Sequence, residues 1–213
     1  MTAIFRGIAY YGAGTLQLFT NTLTVTGTLT NSAGTFDLNA ISLTATGATI
    51  SNTATILLVG SETLTGFTND TDSGTVTYDG SGAYASGLAA GDAYYNLTFN
   101  GSGSWTLDAA LDVNNALTIA SGTLDVSASK YGITVAGNFD NSDTFTARSG
   151  TVTFDKSSGT QTLNTGSSSF YNLSHSGAGT LQLVTIALTV TNNFTISLCI
   201  FYSIFLSINV AGM

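Results

Sequence analysis

The segment Gly12-Ala13-Gly14-Thr15-Leu16-Gln17-Leu18 returns unchanged as Gly177-Ala178-Gly179-Thr180-Leu181-Gln182-Leu183, 165 residues further on. From Gly12 to Thr30, thirteen of nineteen positions are identical across that offset. Such self-similarity marks an array whose units bury one another. Two shorter offsets lie inside it. One of 76 carries Gly74-Thr75-Val76-Thr77-Tyr78-Asp79 onto Gly150-Thr151-Val152-Thr153-Phe154-Asp155, and another of 88 carries Gly34-Thr35-Phe36-Asp37-Leu38 onto Gly122-Thr123-Leu124-Asp125-Val126. Read as two related halves of unequal length, these offsets predict about twelve extra residues between Ala40 and Gly74.

A finer period runs through the halves. Apolar-x-apolar pairs begin at Leu16, Leu23, Leu29, Phe36, Leu43, Ile50 and Ile56, and again from Leu97 to Val152, mostly six or seven residues apart. Each pair reads as a short strand of period two, bounded by Gly, Asn, Ser or Asp. Strands this short cannot bury a face alone, whereas stacked coils pair each strand with its equivalent above and below and close a continuous apolar column. The expectation is an all-β chain forming a single parallel β-solenoid, a β-helix, with about three short strands per coil of roughly 20 residues and about ten coils. Leu16, Leu18, Leu23, Val25, Phe36, Leu38, Trp105, Leu107, Leu124, Val126, Val152, Phe154, Leu181 and Leu183 should point inward, with Trp105 in the column of Leu16 and Leu181. An antiparallel sandwich or barrel is the competing fold, but only Asp79-Gly80 has the form of a tight hairpin turn.

Composition agrees with the array. Thr, Ser, Gly and Asn supply 101 of 213 residues, charged residues make up 8%, and Pro is absent. A Pro in a ladder would delete a strand N–H donor. Twelve acids against four bases give a net charge of -8, so no basic face exists to neutralise a phosphate backbone, which argues against nucleic acid as a partner. The single Cys199 makes no internal disulfide.

Chemistry-bearing residues are few. Asp70 with Asp72, Asp108 with Asp112, and Asp140 with Asp143 are candidate carboxylate pairs, but only Arg6, Lys130, Arg148 and Lys156 could assist them. Corner turns account for these Asp residues. Asn69-Asp70-Thr71-Asp72-Ser73-Gly74 has the oxygen density of a calcium loop but lacks its closing Glu, so Asp70 and Asp72 are weak calcium candidates only. His175 has no Cys partner nearby and no serine elbow with it. No catalytic, cofactor or firm metal residue is expected, and no cofactor. Outward hydroxyls offer a sharper possibility: Thr22 and Thr24, Ser42 and Thr44, and Thr63 and Thr65 recur at coil spacing and could form one flat binding face.

Tandem Gly-Thr-Leu-x-Leu coils with Asn and Ser at corners and Thr outside resemble the β-strand repeat regions of bacterial surface proteins, namely autotransporter passengers and filamentous-haemagglutinin-type adhesins. The resemblance covers most of the chain and transfers no site residue. It implies an extracellular or cell-surface stalk or adhesive surface whose partners are host-surface or extracellular glycans or proteins. A ligand-binding solenoid is the alternative, recognising glycans, or ice through the Thr ladder. No signal peptide is visible at the start of the sequence.

Residues 1–195 are read as the array, a slice of a longer one, and 196–213 as a degenerate last coil or an apolar tail. Ile196 to Val210 holds eleven apolar residues in fifteen. It is shorter than the roughly 20 residues a spanning helix needs and lacks a positive flank, which argues against a membrane anchor. With no charged residue after Lys156, the C-terminal coil, rich in Ile196, Leu198, Ile200, Phe201, Ile204, Phe205 and Leu206, is expected to be adhesive, so that the isolated chain associates end to end.

Overall fold

A computed structural model of the chain describes residues 3–184, 187–197, 200–203 and 207–210. Among them there is no helix, and every strand pairing is parallel. The fold is a β-solenoid of about ten turns.

One face runs the length of the molecule and defines the coils. Its strands are Thr15–Gln17, Thr35–Asp37, Thr55–Leu58, Thr75–Tyr78, the first part of Asn96–Thr106, the first part of Leu117–Asp125, Phe139–Asn141, Thr160–Asn164, Thr180–Leu183 and Ile200–Ser203. Partners along it step from Leu16 to Phe36, Ile56, Val76, Leu97, Leu117, Phe139, Leu163 and Leu183. A second face holds Leu43–Thr44, Leu64–Thr65, Ala83–Tyr84, Ser104 to Thr106, Thr123 to Asp125 and Thr144–Thr146. A third holds Thr49–Asn52, Ala93–Tyr94, Leu111–Val113, Ile133–Val135, Thr151–Phe154 and Phe170–His175.

This arrangement corrects the expected insertion. Between Ala40 and Gly74 the first face advances by a regular 20 residues, from Phe36 to Ile56 to Val76. The unequal offsets have another cause: the 76-residue step carries Thr75–Tyr78 of the first face onto Thr151–Phe154 of the third. The 88-residue step carries Thr35–Asp37 onto Thr123 to Asp125 of the second. One repeat therefore spans a fraction of a coil less than four turns and the other a fraction more. Their near sum, 165, returns Thr15–Gln17 to Thr180–Leu183 on the same face.

Alternation places the apolar set inside. Val25, Phe36, Leu38, Leu107, Leu124, Val126, Val152, Phe154, Leu181 and Leu183 are buried, as is Leu23, while Leu16 and Leu18 of the outermost coil are half-buried. Trp105 is fully buried but belongs to the second face, between Tyr84 and Leu124, and not to the column of Leu16. It lies in an aromatic stack, 5.5 Å from Tyr84 and 5.2 Å from Phe99 between ring centroids. In a second cluster Phe139 meets Phe145, Phe154 and Phe170 edge to face, and Phe145 is tilted against Phe170. The last described strands continue the ladder, Ile200–Ser203 on Thr180–Leu183 and Ser207–Val210 on Ala187 to Val190. Leu198, Cys199, Ile204, Phe205 and Leu206 lie outside the described residues.

Coils approach closely at the corners, and glycine makes that possible. Gly34 has φ +65°, and a Cβ there would stand 2.2 Å from the carbonyl oxygen of Gly14. Both the left-handed backbone and the contact oppose a side chain. Gly34→Ala is expected to lower stability by about 2 kcal/mol or more in urea unfolding. Gly47, with a similar φ of +75° but open space around its Cβ position, should tolerate Ala at a smaller cost.

Candidate functional sites

The predicted hydroxyl face forms in part. Thr24, Thr44 and Thr65 stand in register on successive coils of the second face. Thr22, Ser42 and Thr63 lie at the entrance to the same strands, where Leu23 N–H donates to Ser42 O and Leu43 N–H to Thr63 O. The array is short: the partner of Thr24 on the other side is Ile4, 70% exposed, and no strand follows Thr65. A longer column escaped the sequence reading. Thr15, Thr35, Thr55 and Thr75 are stacked on the first face, and beside them Thr77, Thr98 and Thr118 form another. The signal was a small residue followed by Thr at a fixed spacing of 20, namely Gly14, Gly34, Ala54 and Gly74.

Most of the candidate carboxylates lie in corners, but Asp112 and Asp140 do not: each stands outward in the middle of a strand, Leu111–Val113 and Phe139–Asn141. Asp70 accepts from the Asn52 N–H at 2.8 Å, the Asp72 N–H at 3.2 Å and the Ser73 hydroxyl at 3.1 Å. Burial pushes its pKa up, but these donors outweigh burial and hold it below the usual carboxyl value. Asp72, hydrogen-bonded to Asp70 and facing its charge, is pushed up. Asp70 thus fastens the third coil to the second. Asp140 accepts from Asn164, and Asp143 from the Gly122 N–H at 2.7 Å, again one coil away. Asp92 is raised by burial and by Asp108, and Asp155 by burial and by Asp112. Among the described residues, no three His, Cys, Asp or Glu side chains are grouped to hold a metal ion. His175 is fully buried at the position of Phe154 in the next coil, and desolvation pushes its imidazole pKa down.

Two sets of polar residues were not anticipated. Asn31, Asn52 and Asn141 point inward at corners and are almost wholly buried. Asn31 Nδ2 donates to Asn52 Oδ1 at 2.9 Å and to Thr55 O at 2.8 Å, and Asn52 Nδ2 donates to Thr75 O. Glu62 is 6% exposed and accepts from the N–H groups of Val59, Gly60 and Ala40 at 2.7, 2.7 and 3.1 Å. These groups satisfy backbone donors and acceptors that the strand ladder cannot reach. An apolar-x-Asn pattern, Leu29-x-Asn31 and Ile50-x-Asn52, was the available signal.

Two surface recesses lie between the third and fourth coils. One cleft of about 360 Å³ is walled by Gly60 to Thr63 on one side and Ala83 to Gly87 with Ala89 on the other. A second, of about 200 Å³, lies between Phe67 to Thr71 and Ala90 to Ala93. The stretch Ala85 to Asp92 borders both and is anchored from inside: Leu88 and Ala90 are buried, Ala90 N–H donates to the Tyr78 hydroxyl, and the Tyr94 hydroxyl donates to Gly91 O. Burial pushes both tyrosine hydroxyls well above their ordinary pKa, so they remain neutral.

Comparison of the chain with protein-family models, with curated proteins and with solved structures finds no match.

Arg148 and Asp125 form a two-pronged ion pair between neighbouring coils, at 2.5 and 2.6 Å. The Arg148 guanidinium holds the Asp125 carboxyl below the ordinary value of 3.8. A depressed carboxyl stabilises the fold above its unfolded pKa and loses that contribution as pH falls through the folded value. The stability lost in Arg148→Met is therefore expected at pH 6 and should shrink as pH drops below 3.8, read as the gap between the two melting temperatures. A gap unchanged to pH 2 contradicts this.

Proposed function

We propose that the chain is a non-enzymatic, extracellular repeat region of a bacterial surface protein, serving as a stalk or an adhesion surface. The observation that carries this reading is the unbroken first face. Ten parallel strands stack along it, their inner positions filled mainly by apolar side chains, with Thr the commonest residue at their outer positions. Such a column supplies length and stiffness through nearest-neighbour contacts repeated coil by coil. The carboxylates support a structural role, since Asp70, Asp125, Asp140 and Asp143 each join neighbouring coils. Antibody labelling of intact cells that produce the parent protein tests export, and signal only after lysis refutes it. Incubation with pectin, polygalacturonate and other polysaccharides should release no new chain ends. Calcium-dependent release abolished by Asp70→Ala overturns the non-enzymatic reading.

A ligand-binding solenoid is the second reading, favoured by the register of Thr24, Thr44 and Thr65. Thermal hysteresis or glycan-array binding that Thr44→Leu removes, with the circular dichroism spectrum unchanged, would establish it.

The isolated chain is also proposed to associate end to end. Ile4 and Phe19 are 70% and 75% exposed at one end of the stack, and Ile200 and Tyr202 are 64% and 50% exposed at the other. Sedimentation should find oligomers at concentrations of tens of micromolar, and a clean monomer contradicts the proposal.

A further inference from the structure

The second and third faces are both interrupted at one level. Leu64–Thr65 pairs with Leu43–Thr44 and with no strand on its other side, and Ala83–Tyr84 pairs only with Ser104 and Trp105. Among the described residues no hydrogen bond joins 60–66 to 83–89. On the third face, Thr49–Asn52 pairs only with Thr28 to Asn31, and Ala93–Tyr94 only with Asp112 and Val113. Residues 67–74 between those levels form no strand. Side-chain amides bridge that gap, Asn69 Nδ2 to Ala93 O at 3.0 Å and Asn114 Nδ2 to Thr71 O at 2.8 Å. The first face crosses the same level intact, with Thr55, Ile56, Leu57 and Leu58 paired to Thr75, Val76, Thr77 and Tyr78. The two clefts are the mouths of this interruption.

We propose that the solenoid is two rigid stacks, residues 3–72 and the described residues of 75–210, hinged on the first face and able to part along the second and third. Parting there breaks no backbone ladder; it breaks the amide bridges of Asn69 and Asn114 and the apolar contacts between stacks, while the Asn52 amide bond to Thr75 O sits beside the first face, at the hinge. At every other junction of coils within 15–183, pairing on the second or third face accompanies that on the first. Local openings of low free energy arise where contacts between neighbouring units are sparse, and at this level two of the three faces lack ladder hydrogen bonds. A stalk with this joint bends at one level and stays straight elsewhere, and the inference holds whether or not the chain is exported.

The molecule carries its own reporter. Trp105 is the only tryptophan, is fully buried, and lies under Tyr84 at the margin of the larger cleft. Opening bares it. In the unmodified chain, acrylamide quenching of Trp105 is expected to rise about threefold at urea concentrations that leave strand ellipticity unchanged. Cysteines at Thr63→Cys and Ser86→Cys, on opposite walls of that cleft, joined by a short bismaleimide in a Cys199→Ser background, should abolish the early rise. The same bridge between Thr24→Cys and Thr44→Cys, across an intact ladder, should leave it in place. The proposal is overturned if quenching of the unmodified chain rises only together with loss of ellipticity, a result that needs no variant to fold. It is equally overturned if the two bridges act alike.

Discussion

Everything in this molecule depends on hydrogen bonding from coil to coil. No strand shorter than five residues can bury a face or hold a shape alone, and most strands here are that short. They gain their stability from equivalent strands in adjacent coils, so the chain is organised by contacts some 20 residues away and not by immediate neighbours. The net worth of one such bond is only about 1 kcal/mol, so it is their regular repetition, together with the apolar column it encloses, that offsets the entropy of ordering. The absence of proline and the abundance of Thr on outward positions follow from the same requirement.

Corners are where that requirement cannot be met by backbone alone. Each coil turns three times, and at each turn some N–H and C=O groups leave the ladder. Buried Asn31, Asn52 and Asn141, and the carboxylates of Glu62 and Asp70, take up these groups and tie adjacent coils together. Polarity inside the solenoid is therefore organised largely around satisfied backbone groups, and of the acids that looked like catalytic pairs, Asp70, Asp140 and Asp143 each bond to a neighbouring coil.

The strand period, the parallel stacking and nearly all of the inward residues were legible in the sequence, because alternation at a coil spacing of 20 leaves few other ways to bury Phe36, Leu124 or Phe154. Which face a strand occupies was not legible. Trp105 and Leu16 obey the same alternation, and nothing local distinguishes one side of a coil from the next. The inward Asn residues were hidden for a different reason: Asn is also a turn residue, and only the carbonyl of the next coil decides whether it faces in or out. The interruption beside Leu64–Thr65 was hidden because that strand has the same composition as its paired neighbours. Its isolation comes from the path of residues 66–93, not from its own side chains.

The movement of one motif between faces has a genetic consequence. Gly74 to Asp79 and Gly150 to Asp155 are near copies, yet one serves the first side of the coil and the other the third. A duplication or deletion need not therefore comprise whole coils to yield a folded product. A segment that ends a third of a turn early re-enters the stack on an adjacent side, where its apolar-x-apolar strand meets the same interior. Slippage between repeated stretches of DNA can then lengthen or shorten the array in small steps while sparing the reading of the core, which makes length the most readily varied property of such a chain.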